Sequence, residues 1–250
     1  MPGRRGVDET FERLDGALET SLGDRPAADD PPTVLFSGGV DSSILALALA
    51  RSGPLRLFSI GMEGSDDIVA ARRAADLLRL NLTERRVTPE EVANSVKSHG
   101  LAARPEPARS VLASLGVALA TSPRGGPLVL GQGADELFGG YAHFRSLTPA
   151  AAERRRRDDW DRLLRVDWPA TQAIAGTLGR TLFAPFVDAR FATAAFAIPL
   201  PSVGPGDLTK PVLRAWARHR GVPAEVANRP KRAIQYGTGI ASVVRRSLRA

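Results

Sequence analysis

The sequence predicts an α/β protein in which a parallel sheet is flanked by helices and followed by a mostly helical C-terminal part. Between residues 33 and 130, short apolar runs typical of strands alternate with amphipathic stretches typical of helices. Beyond about residue 141 the strand signals fade, and helical patterns with Pro and Gly punctuation dominate. This alternation argues for parallel strands covered by helices, with ligands beyond the carboxyl ends of the strands.

The first thirty residues predict one helix and a linker. Phe11, Leu14, Leu18 and Leu22 recur at helical spacing, and a polar, proline-rich stretch, GDRPAADDPP, follows them. The chain then divides into three predicted units: an N-terminal helix and linker, an α/β core, and a helical C-terminal part that closes the site, at residues 1–30, 31–143 and 144–250.

Four strands and four helices are predicted in the core. The strands are expected at residues 33–36, 55–60, 82–87 and 127–130. The helices between and after them are expected at residues 42–50, 66–78, 89–98 and 107–120.

Composition excludes several function classes. The chain has no cysteine, so disulfides, thiolate metal sites and cysteine nucleophiles are excluded, and three scattered histidines give no zinc-binding spacing. The net charge is +7, but 27 acidic residues are interspersed and aromatics are only 6%, so we do not expect a nucleic-acid partner. The arginine run at residues 154–157 is interpreted as a solvated helix face.

No membrane association is expected from the sequence. The longest apolar run, residues 44–50, is far shorter than the roughly 18 to 20 residues that cross a bilayer. The N-terminus, MPGRRGVDETFERL, lacks an apolar signal core. We therefore expect a cytoplasmic protein.

A glycine-containing loop, SGGVDSS, follows the first predicted strand and opens the next helix. Backbone N–H groups and the positive end of the helix dipole there favour an anion. Gly38 and Gly39 allow close approach of phosphate oxygens, and Ser37 and Ser42 add hydroxyl donors. Asp41 would repel a bare phosphate, so it indicates either a metal cation or a helix cap. The alternative is a glycine turn that binds no ligand.

Two segments carry a resemblance to a known family. SGGVDSS resembles the pyrophosphate loop of the N-type ATP pyrophosphatases, which split ATP between its α and β phosphates. LVLGQGADELFGGYAHF, residues 128–144, resembles the S-G-E-G-A-D-E-x-F-G-G-Y signature of the synthetase domain of asparagine synthetases. Weaker similarities to the same family lie in FSIGMEGSDD, TLFAPFVDARF, DLTKPVLRAW and NRPKRAIQYGTGI.

The resemblance implies an adenine nucleotide α-hydrolase-like (HUP-type) fold and an AMP-forming ligase. Such an enzyme adenylates a carboxylate, releases pyrophosphate, and transfers the acyl group to ammonia or another amine to make an amide. The implied cofactors are ATP and Mg²⁺, and the implied partners are a small carboxylate and an amine. The residues implied to bind the nucleotide are Leu35, Ser37, Gly38, Gly39, Asp41, Ser42, Ile60, Gly61 and Gly131.

The implied metal ligands and catalytic groups lie at both signatures and near the C-terminus. Asp135 and Glu136 would stand beside the loop of the first strand, where carboxylates next to a triphosphate favour magnesium. The alternative is an acidic pair that caps the helix beginning at Ala134. The resemblance gives Asp41 and Asp135 as metal ligands and Asp135, Gln132 and Lys231 as catalytic residues.

Lysine is rare in this chain, with only Lys97, Lys210 and Lys231 among 34 basic residues. Lys210 and Lys231 fall on motif positions of the resemblance, where a compact, pKa-tunable charge is indicated. Lys231 would stabilise the α-phosphate and the oxyanion formed as an amine attacks. Lys210 is interpreted either as a functional lysine or as a surface lysine at the start of a helix.

Two departures from the family pattern concern the substrate. Gln132 replaces the signature glutamate, and a neutral amide cannot act as a general base. Thr181 and Phe183 replace a Glu-x-Arg pair, so an arginine that would clamp a carboxylate has become an aromatic ring. The acid and the amine therefore stay open.

Two other functions are left open by the sequence: an ATP pyrophosphatase that modifies a tRNA base, and a catalytically silent ATP-binding subunit. The chain starts about thirty residues before the loop and contains no cysteine, so we expect no glutamine hydrolysis by the family's cysteine-dependent N-terminal domain. A separate glutaminase subunit and a homodimer are both compatible with this expectation.

Overall fold

A parallel sheet lies at the centre of the protein and is covered by helices on both faces. The computed structural model describes residues 4–230 and 234–247. Within these residues, five strands pair in the order β3-β2-β1-β4-β5, all parallel. The strands are β1 (Thr33–Leu35), β2 (Arg56–Gly61), β3 (Leu82–Arg86), β4 (Leu128–Val129) and β5 (Leu182–Phe183). The predicted fold class is confirmed.

The helices of the described residues follow the strands in the predicted alternation and then dominate the C-terminal part. They are α1 (Arg4–Gly23), α2 (Val40–Ser52), α3 (Asp66–Leu78), α4 (Pro89–Ser98), α5 (Ala108–Thr121), α6 (Ala134–Phe138), α7 (Pro149–Arg162), α8 (Trp168–Thr177), α9 (Ala189–Phe196), α10 (Pro211–His219), α11 (Ala224–Ala227), α12 (Ile234–Gly237) and α13 (Ile240–Ser247). The four predicted strands and the four predicted helices of the core all form, with ends that differ by at most two residues.

One strand was not predicted. β5 pairs in parallel with β4, and its flanking groups extend the ladder: Leu128 N donates to Thr181 O at 2.9 Å, and Leu130 N donates to Phe183 O at 2.9 Å. A strand of two residues is too short to show the alternation by which strands are recognised. The C-terminal part therefore supplies one strand of the sheet, and the division at residue 143 stays a prediction.

Successive strand residues point to opposite faces of the sheet and enter two different cores. Leu57 and Val129 pack with α1, α2, α9 and α10 on one face. Phe58 and Leu128 pack with α4, α5, α8 and α13 on the other. The result is a three-layer arrangement in which both faces of the strands are buried, as expected for a parallel sheet.

The predicted N-terminal helix is part of this packing. Leu14 and Leu18 of α1 are completely buried. Asp15 on the same helix accepts a hydrogen bond from Trp216 Nε1 at 2.8 Å, and Glu19 pairs with Arg220 at 2.8 Å. These contacts join α1 to α10 and its C-cap, Arg220. No helix in the described part of the chain is long and apolar enough to cross a membrane.

The strand order places a switch point between β1 and β4. From β1 the chain continues to β2 on one side, and β4 pairs with β1 on the other side, with Thr33 opposite Leu128. Loops after such neighbouring strands diverge and leave a crevice where ligands bind in open α/β sheets. Here they are the loop from Phe36 to Gly39 and the loop from Leu130 to Gly133.

Candidate active site

A cleft of about 610 Å³ opens at this switch point, a size that suits a small-molecule ligand. Most of the residues predicted to form the site line it: Leu35, Ser37, Gly39, Asp41, Ser42, Gly131, Gln132 and Asp135. Ile60 and Gly61 are buried at the end of β2 and do not line the cleft. Lys231 lies outside the described residues.

The loop after β1 presents the N-terminus of α2 to the cleft. Gly39 is the N-cap and has no side chain to satisfy the first N–H groups of the helix. Ser42 Oγ donates to Gly39 O at 3.2 Å, and Gly39 N donates weakly to Ser37 Oγ at 3.4 Å. The remaining N–H groups and the helix dipole make this end of the cleft suitable for an anion.

Gly38 serves the packing of this loop. Its φ is +67°, and a Cβ added there would lie 2.4 Å from Ala70 O in α3. The glycine therefore lets the loop lie directly against α3, and it does not line the cleft.

Lys210 is buried and holds two of the predicted site carboxylates together. Only 1% of its surface is exposed, so the interpretation as a surface lysine is wrong. Its Nζ lies 2.7 and 2.6 Å from the two carboxylate oxygens of Asp41 and 2.6 Å from Asp135 Oδ1. Burial by itself lowers the pKa of Lys210, but the charges of Asp135 and Asp41 raise it above its ordinary value.

These carboxylates fit a magnesium ion. Asp41 and Asp135 converge from two strand ends on one cation, and carboxylate oxygens are the ligands that Mg²⁺ prefers. Among residues 4–230 and 234–247 no group of three or more His, Asp or Glu side chains could hold a metal. Oxygens of a phosphate ligand would therefore have to complete the coordination, as is common for Mg²⁺.

Gly140 is a site residue that the analysis of the sequence missed. A Cβ at this position would lie 1.9 Å from Asp135 Oδ1 and 2.5 Å from the Cε of Lys210. Only a residue without a side chain leaves room for the ion pair. The available signal was its place in the FGGY motif, next to the turn that follows α6.

Glu136 does not join Asp135 at the cation. It is 5% exposed, and Tyr141 Oη donates to its Oε1 at 2.5 Å. Burial first, and then the charge of Glu136, raise the pKa of Tyr141 above its ordinary value, so the phenol keeps its proton. The two neighbouring carboxylates thus contact different parts of the cleft.

Of the three positions that depart from the family pattern, only Gln132 lies at the cleft. Its Oε1 is buried and has no hydrogen-bond partner among the described residues. Phe183 packs against the hydrophobic core that α1, α2, α9 and α10 share on one face of the sheet, and Thr181 is exposed just before β5. The structure therefore does not bring the three positions into one pocket.

The arginine run of α7 is not only a solvated face, contrary to the interpretation above. Arg156 is fully buried and donates to Ala195 O at 2.7 Å and to Ile198 O at 2.9 Å. Arg155 lines the cleft and pairs with Asp159 at 2.9 Å. The buried anchors that hold Arg156 lie about forty residues away, so helical periodicity could not reveal them.

Asp159 organises the end of the cleft away from the loop after β1. Its Oδ2 lies 2.8 Å from His143 Nε2, and its Oδ1 pairs with Arg155. Arg162, the last residue of α7, and Asp167, the last residue of the following π-helical turn (Leu163–Asp167), also line the cleft. These charged groups give the distal end of the cleft a polar character.

Two arginines fix the C-terminal part beside the loop after β1. Arg229 lines the cleft and donates from Nη1 to Ser37 O at 3.1 Å and from Nη2 to Asp67 Oδ1 at 3.3 Å. Arg214 is 3% exposed and donates to Thr209 O at 2.6 Å and to Arg229 O at 2.9 Å. Burial lowers the pKa of Arg214.

Comparison with protein families gives a match over nearly the whole chain. The model of the asparagine synthase family matches residues 13–184 and 181–250. A glutamine-hydrolyzing asparagine synthetase of Homo sapiens is 30% identical over 230 residues, covering 84% of this chain and 40% of that protein. A protein of Methanocaldococcus jannaschii that carries the same name provisionally is 29% identical over 275 residues, covering 94% of this chain and 51% of that protein. The chain spans about half the length of these curated relatives, or less.

Solved structures overlap with this one only in part. An NMN synthetase from Francisella tularensis covers 92% of this chain and 77% of its own, with 14% identity and a TM-score of 0.49. An NH3-dependent NAD synthetase from Campylobacter jejuni covers 79% and 98%, with 12% identity and a TM-score of 0.38.

Proposed function

The chain belongs to the asparagine synthase family, and from this premise we propose that it is an ATP-dependent ligase that forms amides. One observation carries the proposal: Asp41 and Asp135 converge on a single cation, next to the N-terminus of α2, in the crevice of the sheet. Anion-binding N–H groups and metal-binding oxygens then lie side by side, as a magnesium nucleotide requires.

The reaction that we propose has two steps. A carboxylate oxygen of the substrate attacks the α-phosphorus of ATP, the bond from that phosphorus to the oxygen bridging to the β-phosphate breaks, and pyrophosphate leaves. The nitrogen of ammonia or another amine then attacks the carbonyl carbon of the acyl-adenylate. The bond from that carbon to the phosphate oxygen breaks, AMP leaves with the electron pair, and the nitrogen gives up a proton.

Residues of the loop after β1 would hold the pyrophosphate portion. Ser37, Gly38, Gly39 and Ser42 belong to this loop and to the first turn of α2, where backbone N–H groups and hydroxyls are donors. Asp41 and Asp135 would hold Mg²⁺. When bound there, Mg²⁺ shields the phosphate oxygens and stabilises the charge of the leaving pyrophosphate.

The base and ribose would lie against Leu35 and Gly131, which line the cleft, in front of Ile60 and Gly61 of β2. Gln132 would face the reacting acid or amine. For Lys231 we keep the proposed role at the α-phosphate and at the oxyanion of the second step. Residues 144–250 would close the site, and the position of Lys210, Arg214 and Arg229 around the cleft supports this.

We further propose that the amine is ammonia, taken from solution or from a separate glutaminase subunit. The names of the relatives describe glutamine-hydrolyzing synthetases, whereas this stretch of chain contains no cysteine that could be a glutaminase nucleophile. Amide formation with ammonium but not with glutamine is the expected result for the protein alone.

The decisive experiment is exchange of radiolabelled pyrophosphate into ATP in the presence of Mg²⁺ and a panel of small carboxylic acids. Exchange that depends on one acid would support adenylation of that acid. Nucleotide binding without any exchange would favour a silent ATP-binding subunit, and exchange that depends on tRNA would favour the modification of a tRNA base. Absence of ATP binding would overturn all three functions.

A further inference from the structure

Among the described residues, Arg229 is a partly exposed cation beside the loop after β1, at the cleft. Lys210 is paired with Asp41 and Asp135, and Arg214 is buried with its donors on backbone carbonyls. The side chain of Arg229 is 22% exposed, lines the cleft, and contacts the carbonyl of Ser37. A triphosphate at the N-terminus of α2 would therefore lie beside this guanidinium, which contacts the same loop.

The guanidinium is held from behind by a carboxylate that does not line the cleft. Asp67, in the first turn of α3, is 2% exposed and accepts from Nη2 of Arg229. The Nη1 and Nη2 groups that contact Ser37 and Asp67 each carry a second N–H, so these contacts do not exhaust the donors of the arginine. The backbone of Arg229 is fixed as well, because Arg214 donates to its carbonyl at 2.9 Å.

Burying the carboxylate of Asp67 costs free energy. Asp67 lies behind the loop that is to bind an anion, and its own charge disfavours both burial and a nearby phosphate. The cost is offset if the carboxylate fixes a cation in the orientation that the anion needs, since a preorganised guanidinium loses less freedom on binding.

We propose that Arg229 is a phosphate-binding residue of this cleft and that Asp67 is the positioning residue that orients its guanidinium. The inference rests on the proposed function, because the anion concerned is the phosphate chain of ATP. It adds one binding residue and one positioning residue to those implied by the family resemblance.

The test is calorimetric titration with three ligands: Mg-ATP, inorganic pyrophosphate and adenosine. Arg229→Gln is expected to weaken the binding of Mg-ATP and of pyrophosphate by roughly 10-fold or more, because a charge-assisted hydrogen bond is lost. Binding of adenosine should be unchanged. Arg229→Lys keeps the charge but loses the two-pronged guanidinium, so its affinity for Mg-ATP and pyrophosphate should lie between those of the wild type and of Arg229→Gln. Arg218→Gln is the matched control, because Arg218 is exposed on α10 and bonds to Asn228 outside the cleft.

Asp67→Asn gives the sharper result. Coulomb's law alone predicts tighter pyrophosphate binding when a nearby negative charge is removed. If Asp67 acts by orienting Arg229, the variant binds pyrophosphate more weakly instead, and the double variant Asp67→Asn with Arg229→Gln is no weaker than Arg229→Gln alone.

Several outcomes would overturn the inference. Unchanged pyrophosphate affinity in Arg229→Gln would remove Arg229 from phosphate binding, and tighter binding in Asp67→Asn would remove the positioning role. A proportional loss of adenosine affinity would indicate general distortion of the cleft. If the wild-type protein binds neither Mg-ATP nor pyrophosphate, the proposed function itself fails, and that result is distinct from variants that bind like the wild type.

Discussion

Lys210 Nζ lies 2.6 Å from Oδ1 of Asp135, between two carboxylates that the chain brings together from the ends of β1 and β4. The lysine comes from the left-handed residue just before α10, with φ +60°. The site thus holds its own cation at the point where a metal is proposed, and the ammonium neutralises carboxylates that would otherwise repel each other.

Removing that cation should destabilise the protein in a way that magnesium corrects. Lys210→Met removes the buried ammonium that Asp41 and Asp135 share, and breaking a buried pair costs about 3–5 kcal/mol. We expect the melting temperature to fall by several degrees and to recover in part on addition of millimolar Mg²⁺. Lys97→Met, at an exposed position of α4, is the control. If the melting temperature of Lys210→Met does not change on addition of Mg²⁺, that result would argue against a metal at these carboxylates.

Asp135→Asn should abolish pyrophosphate release while the fold survives. The amide keeps the shape of the carboxylate but loses the charge that binds metal, and we expect exchange to fall at least roughly 100-fold. Circular dichroism and melting report the fold, and Asp158→Asn on the exposed face of α7 is the matched substitution. Near wild-type turnover with Mg²⁺ would contradict the assignment of Asp135.

Gly140→Ala should weaken nucleotide binding because it displaces the ion pair between Asp135 and Lys210. The added methyl would lie 1.9 Å from Asp135 Oδ1, so the carboxylate or the lysine has to move. We expect weaker Mg-ATP binding and a lower melting temperature. Gly176→Ala in α8 is the control, because a Cβ there meets nothing within 4 Å. Equal behaviour of the two variants would mean that the ion pair tolerates displacement.

Asp67 should give the stability of the protein an unusual dependence on pH. Burial, opposed by Arg229, raises the pKa of Asp67 from 3.8 to about 6, so the folded state binds a proton that the unfolded state has released. The contribution of Asp67 to the free energy of unfolding therefore falls as pH rises from about 4 to about 6, by roughly 3 kcal/mol at most.

The measurement is denaturant unfolding of the wild type and of Asp67→Asn between pH 4 and pH 7. Groups that titrate in both proteins cancel when the free energy of unfolding of the variant is subtracted from that of the wild type. This difference should fall as pH rises and should level off above the pKa of Asp67 in the folded state. A difference that stays flat over this range would show that the pKa of Asp67 is near its ordinary value.

Gln132 should make aspartate a poor substrate. Its amide lies at the cleft where the family signature has a carboxylate, and an amide pairs poorly with an ammonium group. Purified protein with Mg-ATP, aspartate and ammonium should form little or no asparagine, and Gln132→Glu should form more. Thr181→Glu is the control: position 181 does not line the cleft, so the amount of asparagine formed should be unchanged. Asparagine formation at roughly 1 per second or faster by the wild type would show that the carboxylate is dispensable.

Much of the fold could be predicted because its signals are local. The apolar runs of β1 to β4 and the amphipathic stretches of α2 to α5 each report their own burial, and the structure keeps their ends within two residues. The glycines after β1 and the position of Asp41 in the first turn of α2 were likewise visible in a single stretch of sequence.

The candidate site was only half visible in the sequence. A motif could place Asp41 and Asp135 at strand ends, and parallel strands bring such ends to one edge of a sheet. Nothing local could show that Phe183 turns into the core while Gln132 faces the cleft, since neighbouring strand residues alternate and a two-residue strand leaves no pattern.

By itself the sequence determined the α/β alternation, the loop that suits an anion, and the family. The tertiary structure alone decided which charges meet: Lys210 with Asp41 across 169 positions, and Arg229 with Asp67 across 162. The physical reason is that periodicity records which face of an element is buried, whereas an ion pair depends on how whole elements are placed in space. Burial of Lys210 and Asp67 is tolerated only where those partners arrive.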